Sequence, residues 1–178
     1  MMKKKIAIAV LLSVVTVPAV AANGNAYVGA RAGQAKTNID NAVLTKDSPT
    51  AWGIFAGYAF TPMVGLEVEY LDLGKVTGIG GGAESRGYSV SGVGSFPMGE
   101  QFSLLGKVGY AMISTKDTSS PPDPDADSDA ITYGLGGQFN FSPVVGVRVN
   151  WDRYNIDDSS AELKGNVRLL SVGGVFKF

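Results

Sequence analysis

Glu67 and Glu69 stand two residues apart, the spacing that places two carboxylates on one face of an extended strand. Such a pair can serve general acid–base or glycoside chemistry. Basic residues are available to neutralise them, however: Arg31, Lys107 and Arg148, together with a third acid, Asp152, fall on the polar faces of other alternating stretches. Ion pairing is therefore the stronger reading of the two glutamates. Asp123, Asp125, Asp127 and Asp129 carry the alternate-acid spacing of a calcium loop. Ser128 stands where such a loop requires glycine and Gly134 where it requires a bidentate glutamate, so the segment is expected to be a solvated loop stiffened by Pro121 and Pro122. No metal site is assigned. Gly78 to Gly82 lacks the lysine and the serine or threonine of a phosphate-binding loop and is expected to be a flexible connection.

Two residue types are missing. The chain of 178 residues has no histidine and no cysteine. Imidazole-based catalysis, thiol chemistry, Cys/His zinc sites and disulfides are thereby excluded. No cofactor and no enzymatic activity are expected. Hydrophobic residues make up 45% and charged residues 17%, with 24 glycines, a composition that can bury apolar surface but is poor in charge for a soluble domain.

Met1 to Ala22 has the layout of a secretory signal: Lys3, Lys4 and Lys5, an apolar run from Ile6 to Val20, then small residues. Ala19-Val20-Ala21 fits the small-residue cleavage pattern, so cleavage is expected after Ala21, leaving one domain over residues 22–178. Losing those lysines makes the mature chain more acidic than the formal net charge of −1, which excludes a basic nucleic-acid surface and a nucleic-acid partner. No uninterrupted apolar run follows residue 22, which excludes a helical membrane protein but not a barrel.

The elements that must position the charges are strands. Eight stretches show period-2 alternation: Asn25 to Gln34, Thr50 to Phe60, Val64 to Tyr70, Tyr88 to Phe96, Phe102 to Ser114, Ile131 to Phe141, Val145 to Asp152 and Leu170 to Phe178. One face of each is oily and the other is glycine, serine and charge. Aromatic residues sit near the ends of the oily faces, among them Trp52, Tyr58, Phe60, Tyr70, Tyr88, Phe96, Phe102, Phe141, Trp151 and Phe178, as in membrane-interface girdles. The polar faces suit a narrow lumen filled by side chains. Short proline-containing turns at Thr61-Pro62, Pro97 to Glu100 and Ser142-Pro143 alternate with longer polar connections at Ala35 to Pro49, Asp72 to Arg86, Thr115 to Asp129 and Asn155 to Asn166. These features predict an all-β fold, an eight-stranded antiparallel transmembrane up-and-down β-barrel with long loops outside and short turns on the periplasmic side. A soluble secreted barrel with its oily face inward is the competing arrangement.

The segment Trp52-Gly53-Ile54-Phe55-Ala56-Gly57-Tyr58, followed by Thr61 to Tyr70, resembles the second and third strands of the outer-membrane protein A barrel domain. Ser142-Pro143 with Arg148, and the closing Gly173-Gly174-Val175-Phe176-Lys177-Phe178, are similar to its last strands. The resemblance implies a barrel in the outer membrane of a Gram-negative bacterium, among its lipids and lipopolysaccharide. It also implies that Gly173, Phe176 and Phe178 form a C-terminal signal read by the barrel-assembly machinery. Glu67 and Arg148 match one glutamate and one arginine of the family's lumenal network, and Arg31 a further basic position, whereas Gln138 and Val93 replace its second acid and its lysine. Family members with a cell-wall-binding domain continue beyond the barrel, so wall anchoring is not implied for a chain read to Phe178. The small adhesion and serum-resistance barrels of enterobacteria are the nearest alternative on architecture.

Arg31, Lys107 and Arg148 balance Glu67, Glu69 and Asp152, so the lumen can neutralise itself. A plug of ion pairs is expected rather than a gate, because eight strands enclose an interior about wide enough for side chains. The expected role is structural, with host or surface ligands met by the long loops. A small porin or slow ion channel is the rival. A monomer is the default oligomeric state, since closure leaves no strand edge to pair.

Overall fold

A computed structural model describes residues 25–39, 50–78, 81–117, 126–157 and 164–178. The expected signal segment and its expected cleavage site at Ala21 lie outside the described residues. Eight strands follow in chain order: β1 (Ala26–Ile39), β2 (Thr50–Ala59), β3 (Val64–Gly78), β4 (Gly81–Pro97), β5 (Phe102–Asp117), β6 (Ala126–Asn140), β7 (Val145–Asp157) and β8 (Lys164–Lys177). Each pairs antiparallel with its neighbours in sequence, and β1 pairs with β8 from Tyr27↔Lys177 to Ile39↔Gly165, so the sheet closes into a barrel. The predicted fold is the observed one.

Two of the short turns are built alike. Thr61 Oγ1 accepts hydrogen bonds from the amides of Met63 (3.2 Å) and Val64 (3.0 Å), and Ser142 Oγ accepts from Val144 (3.3 Å) and Val145 (3.0 Å). In both, the hydroxyl residue precedes a proline whose fixed φ presets the reversal. The third turn passes through Gly99, whose φ of +135° is open to glycine and costly for residues with a Cβ.

The strands are longer than the alternation predicts, and the expected long connections shrink accordingly. The clearest correction is at Asp72 to Arg86, where β3 and β4 stay paired from Asp72↔Arg86 to Gly78↔Gly81. Asp72 Oδ1 accepts from the amide of Gly74 at 2.9 Å, and Gly74 has φ +78°; this turn chemistry produces a bulge between Asp72 and Lys75 and not a loop. Gly78, Gly81 and Gly82 are accordingly strand residues rather than a flexible connection. Asp127 and Asp129 also belong to a strand, opposite Ser114 and Met112 on β5, which removes them from the expected loop. Asp123 and Asp125 lie outside the described residues.

The added strand length has a distinct chemistry. From the short-turn end up to Trp52, Tyr70, Tyr88, Tyr110, Tyr133 and Trp151, exposed side chains are apolar; Leu135, for instance, keeps 68% of its surface open. Beyond that level the exposed positions become Gln34, Lys36, Thr50, Arg86, Ser114, Asp129 and Arg168. The interior inverts in the opposite sense. Polar and charged groups fill its lower part, whereas Leu71, Leu73, Ala111, Ile113, Tyr154, Val167 and Leu169 form an apolar core above. The barrel is thus oily outside and polar inside at one end, and polar outside and oily inside at the other.

Candidate functional site

Strand alternation delivers the six charged residues to one place. Arg31 on β1, Glu67 and Glu69 on β3, Lys107 on β5, and Arg148 and Asp152 on β7 all point into the lumen. Arg31 bridges two strands that are far apart in sequence: Nε pairs with Glu69 and Nη1 with Asp152. Its remaining donors reach Ser171 Oγ and Tyr154 Oη, each at 3.1 Å. The guanidinium fork thereby engages four acceptors on three strands, β3, β7 and β8.

Lys107 stands among all three acids, with Nζ 3.2 Å from Glu69, 3.6 Å from Glu67 and 3.6 Å from Asp152. Arg148 closes the lower part: Nη1 donates to Glu67 at 2.6 Å and Nε to Gln138 at 3.0 Å. Its guanidinium lies 5.1 Å from the ring centre of Tyr27 and 4.9 Å from that of Phe55, within cation–π range. Tyr27 Oη donates to Glu67 at 3.0 Å. A polar chain then descends from Gln138 Nε2 to Asn140 Oδ1 (2.8 Å), which also accepts from Lys177 Nζ at 2.9 Å.

Three positive and three negative charges, each with several partners, make a neutral and mutually satisfied cluster. That is the condition under which buried charge is tolerable. Both glutamates are occupied by cations, an arrangement that suits ion pairing. Gln138 keeps a hydrogen bond to Arg148 without a charge, and Val93 is buried.

Alternation alone did not reveal Tyr27, Ser171 and Tyr154 as partners, although the first two, like Gln138, lie on faces that the alternation marks as lumenal. The apolar layer above the network was also missed. It consists of Leu71 and Leu73 from β3, Ile113 from β5, Tyr154 from β7 and Leu169 from β8, and Leu169 is only 1% exposed. Tyr154 belongs to both layers, its ring in the apolar core and its hydroxyl on Arg31. Among the described residues no cluster of three acids is arranged to hold a metal ion.

No curated protein matches the chain. Among solved structures, the attachment invasion locus protein Ail of Yersinia pestis superposes with a TM-score of 0.66 at 21% identity, covering 87% of this chain and 99% of Ail. The same protein in complex with the heparin analogue sucrose octasulfate gives 0.63 at 20% identity, again over 87% of this chain and 99% of that one. Neisserial surface protein A (NspA) gives 0.71 at 18% identity, covering 86% of this chain and 97% of NspA. At these identities the likeness is one of fold. The model of the outer membrane protein beta-barrel domain matches residues 7–178. With that match spanning nearly all of a chain that folds as a closed eight-stranded barrel, the chain belongs to the outer membrane protein beta-barrel domain family.

Proposed function

We propose that this outer-membrane barrel has a structural and surface-contact role, with a lumen that seals and an upper rim that meets other molecules. The observation that carries the reading is the double closure of the lumen, in which the ion-pair cluster around Arg31 and Lys107 lies beneath the apolar layer of Leu71, Ile113 and Leu169. A conducting pore needs a continuous aqueous path, and neither layer supplies one. Planar-bilayer recordings and liposome swelling on refolded protein test this. No large steady conductance is expected, and such a conductance would replace this reading with the small porin or slow channel.

Residues 1–21 act as the export signal, with cleavage after Ala21, and residues 22–178 form the barrel. Mass spectrometry of protein purified from outer membranes checks the cleavage site. Gly173, Phe176 and Phe178 serve as the signal for the assembly machinery; the 5.1 Å edge contact between the Phe176 and Phe178 rings at the closing strand supports their acting as a unit. Barrel closure favours a monomer surrounded by outer-membrane lipids and lipopolysaccharide. Host or surface ligands would be met at the end where β3 and β4 project past the girdle. The binding of a heparin analogue by Ail makes a sulfated glycan the first probe for such contact.

A further inference from the structure

Lys36 on β1 is directly opposite Arg168 on β8, and Arg168 is directly opposite Arg153 on β7. All three belong to the outward positions of their strands: Lys36 and Arg168 are exposed, and Arg153 lies between the buried Asp152 and Tyr154. Three cations in adjacent cross-strand positions repel one another. Among the described residues Lys36 and Arg168 have no ion-pair or hydrogen-bond partner, and Arg153 donates only to the neutral Asn155 Oδ1, at 3.1 Å. No carboxylate with a described side chain shares the outward face of β1, β7 or β8. Among the described side chains the row therefore presents positive charge without a counter-charge on the outside of the wall.

Its height and its surroundings choose the counter-charge. On β7 the row is two residues above Trp151 of the girdle, the level of lipid headgroups. Directly below it on the same strands the wall is oily and smooth. Leu170 and Val172 lead down β8 to Gly174, and Ala32 leads down β1 to Ala30. There the surface sinks into an apolar groove of about 700 Å³ lined by Val28, Ala30, Ile54, Ala56, Gly174 and Phe176. A Cβ at Gly174 would meet nothing within 4 Å, so the depression is open to the membrane side. From Lys36 to Ala30 is six residues along β1, roughly 20 Å, a distance a lipid chain can follow.

We infer that Lys36, Arg153 and Arg168 bind the phosphate of an outer-leaflet lipid whose acyl chain lies in the groove beneath them. A soluble anion would use the cations but not the groove, and a neutral lipid would use the groove but not the cations. The site rests on the reading of a barrel surrounded by outer-membrane lipids and lipopolysaccharide, and it is separate from the upper-rim contact proposed above.

The test uses refolded full-length protein in neutral detergent, with lipid A as the probe and binding read by native mass spectrometry. Dephosphorylated lipid A, inorganic phosphate and heparin are the comparison arms. Replacing the row in the variant K36Q/R153Q/R168Q is expected to weaken lipid A binding about fivefold per cation, on the order of a hundredfold in all. The single variant Arg168→Gln, on an exposed position, is expected to lose about fivefold and keeps the test valid should the triple variant fold poorly. Ala30→Leu, which fills the groove without touching charge, is expected to weaken lipid A binding while leaving inorganic phosphate without effect. Equal lipid A binding by the unmodified protein and the variants would overturn the inference. So would competition by millimolar phosphate, or loss of heparin binding with lipid A binding retained, either of which assigns the row to a soluble anion.

Discussion

Arg31 and Asp152, 121 residues apart in sequence, form an ion pair inside the barrel, and the same guanidinium also pairs with Glu69. One side chain on β1 thus ties β3 to β7 across the lumen. Removing it leaves two buried carboxylates with Lys107, among the described residues, as the only cation paired to them. Arg31→Ala is expected to destabilise the folded barrel by about 3–5 kcal/mol, the usual consequence of stripping one partner from a buried pair. Urea unfolding of protein refolded into vesicles measures it, and a loss below about 1 kcal/mol would show that the cluster does not hold the strands together.

Arg148→Ala removes the hydrogen bonds to Glu67 and Gln138 but leaves the upper apolar layer intact. It should therefore lower stability without opening a steady conductance. Combining Arg148→Ala with Leu169→Ala and Ile113→Ala weakens both layers. Single-channel recording should show conductance only in that combination; current through Arg148→Ala alone would mean that the ion pairs are the sole barrier.

Depth should decide what a new charge costs. Leu135→Arg places a cation on the oily wall, where about 2–4 kcal/mol is expected, whereas Gln34→Arg, above the girdle, should cost about 0–1 kcal/mol. Unfolding midpoints in vesicles compare the two. Equal costs would place the hydrocarbon boundary elsewhere.

Two glycines of β5 separate packing from backbone freedom. A Cβ at Gly109 would collide with Ser91 Oγ and with the Val90 carbonyl, while one at Gly106 would meet nothing within 4 Å. Gly109→Ala is expected to cost about 1–3 kcal/mol through overpacking against backbone that cannot yield. Gly106→Ala should be neutral or slightly stabilising. Thermal unfolding followed by gel mobility of unheated samples distinguishes the two.

The sequence made the lower half of the barrel legible because one rule governs it, oily out and polar in, and period-2 counting detects that rule directly. The same rule placed Arg31, Glu67, Glu69, Lys107, Arg148 and Asp152 on lumenal faces before any pairing was known. The upper half escaped because the rule reverses there without the strand ending. On β3 the oily positions run Val64, Leu66, Val68, Tyr70 and then change phase to Leu71 and Leu73; on β8 they run Val167, Leu169 and then Leu170, Val172. A phase change of this kind looks like the end of a strand when alternation is the only signal. Lys36, Arg153 and Arg168 were hidden for the same reason, since residues assigned to loops or strand margins have no register, and only register shows that the three stand side by side.

The reversal of polarity at the level of Tyr70 and Leu71 gives the barrel a waterline of its own. Sinking by one alternation step would carry Lys36 and Arg168 toward hydrocarbon, and rising by one would lift Leu170 and Trp151 into water. Both displacements are opposed, so the protein cannot adjust its draught when the membrane thickens or thins. The lipid must adapt to the barrel, stretching or compressing around it, and a bilayer whose thickness differs from the oily band will carry a collar of deformed lipid wherever this protein resides.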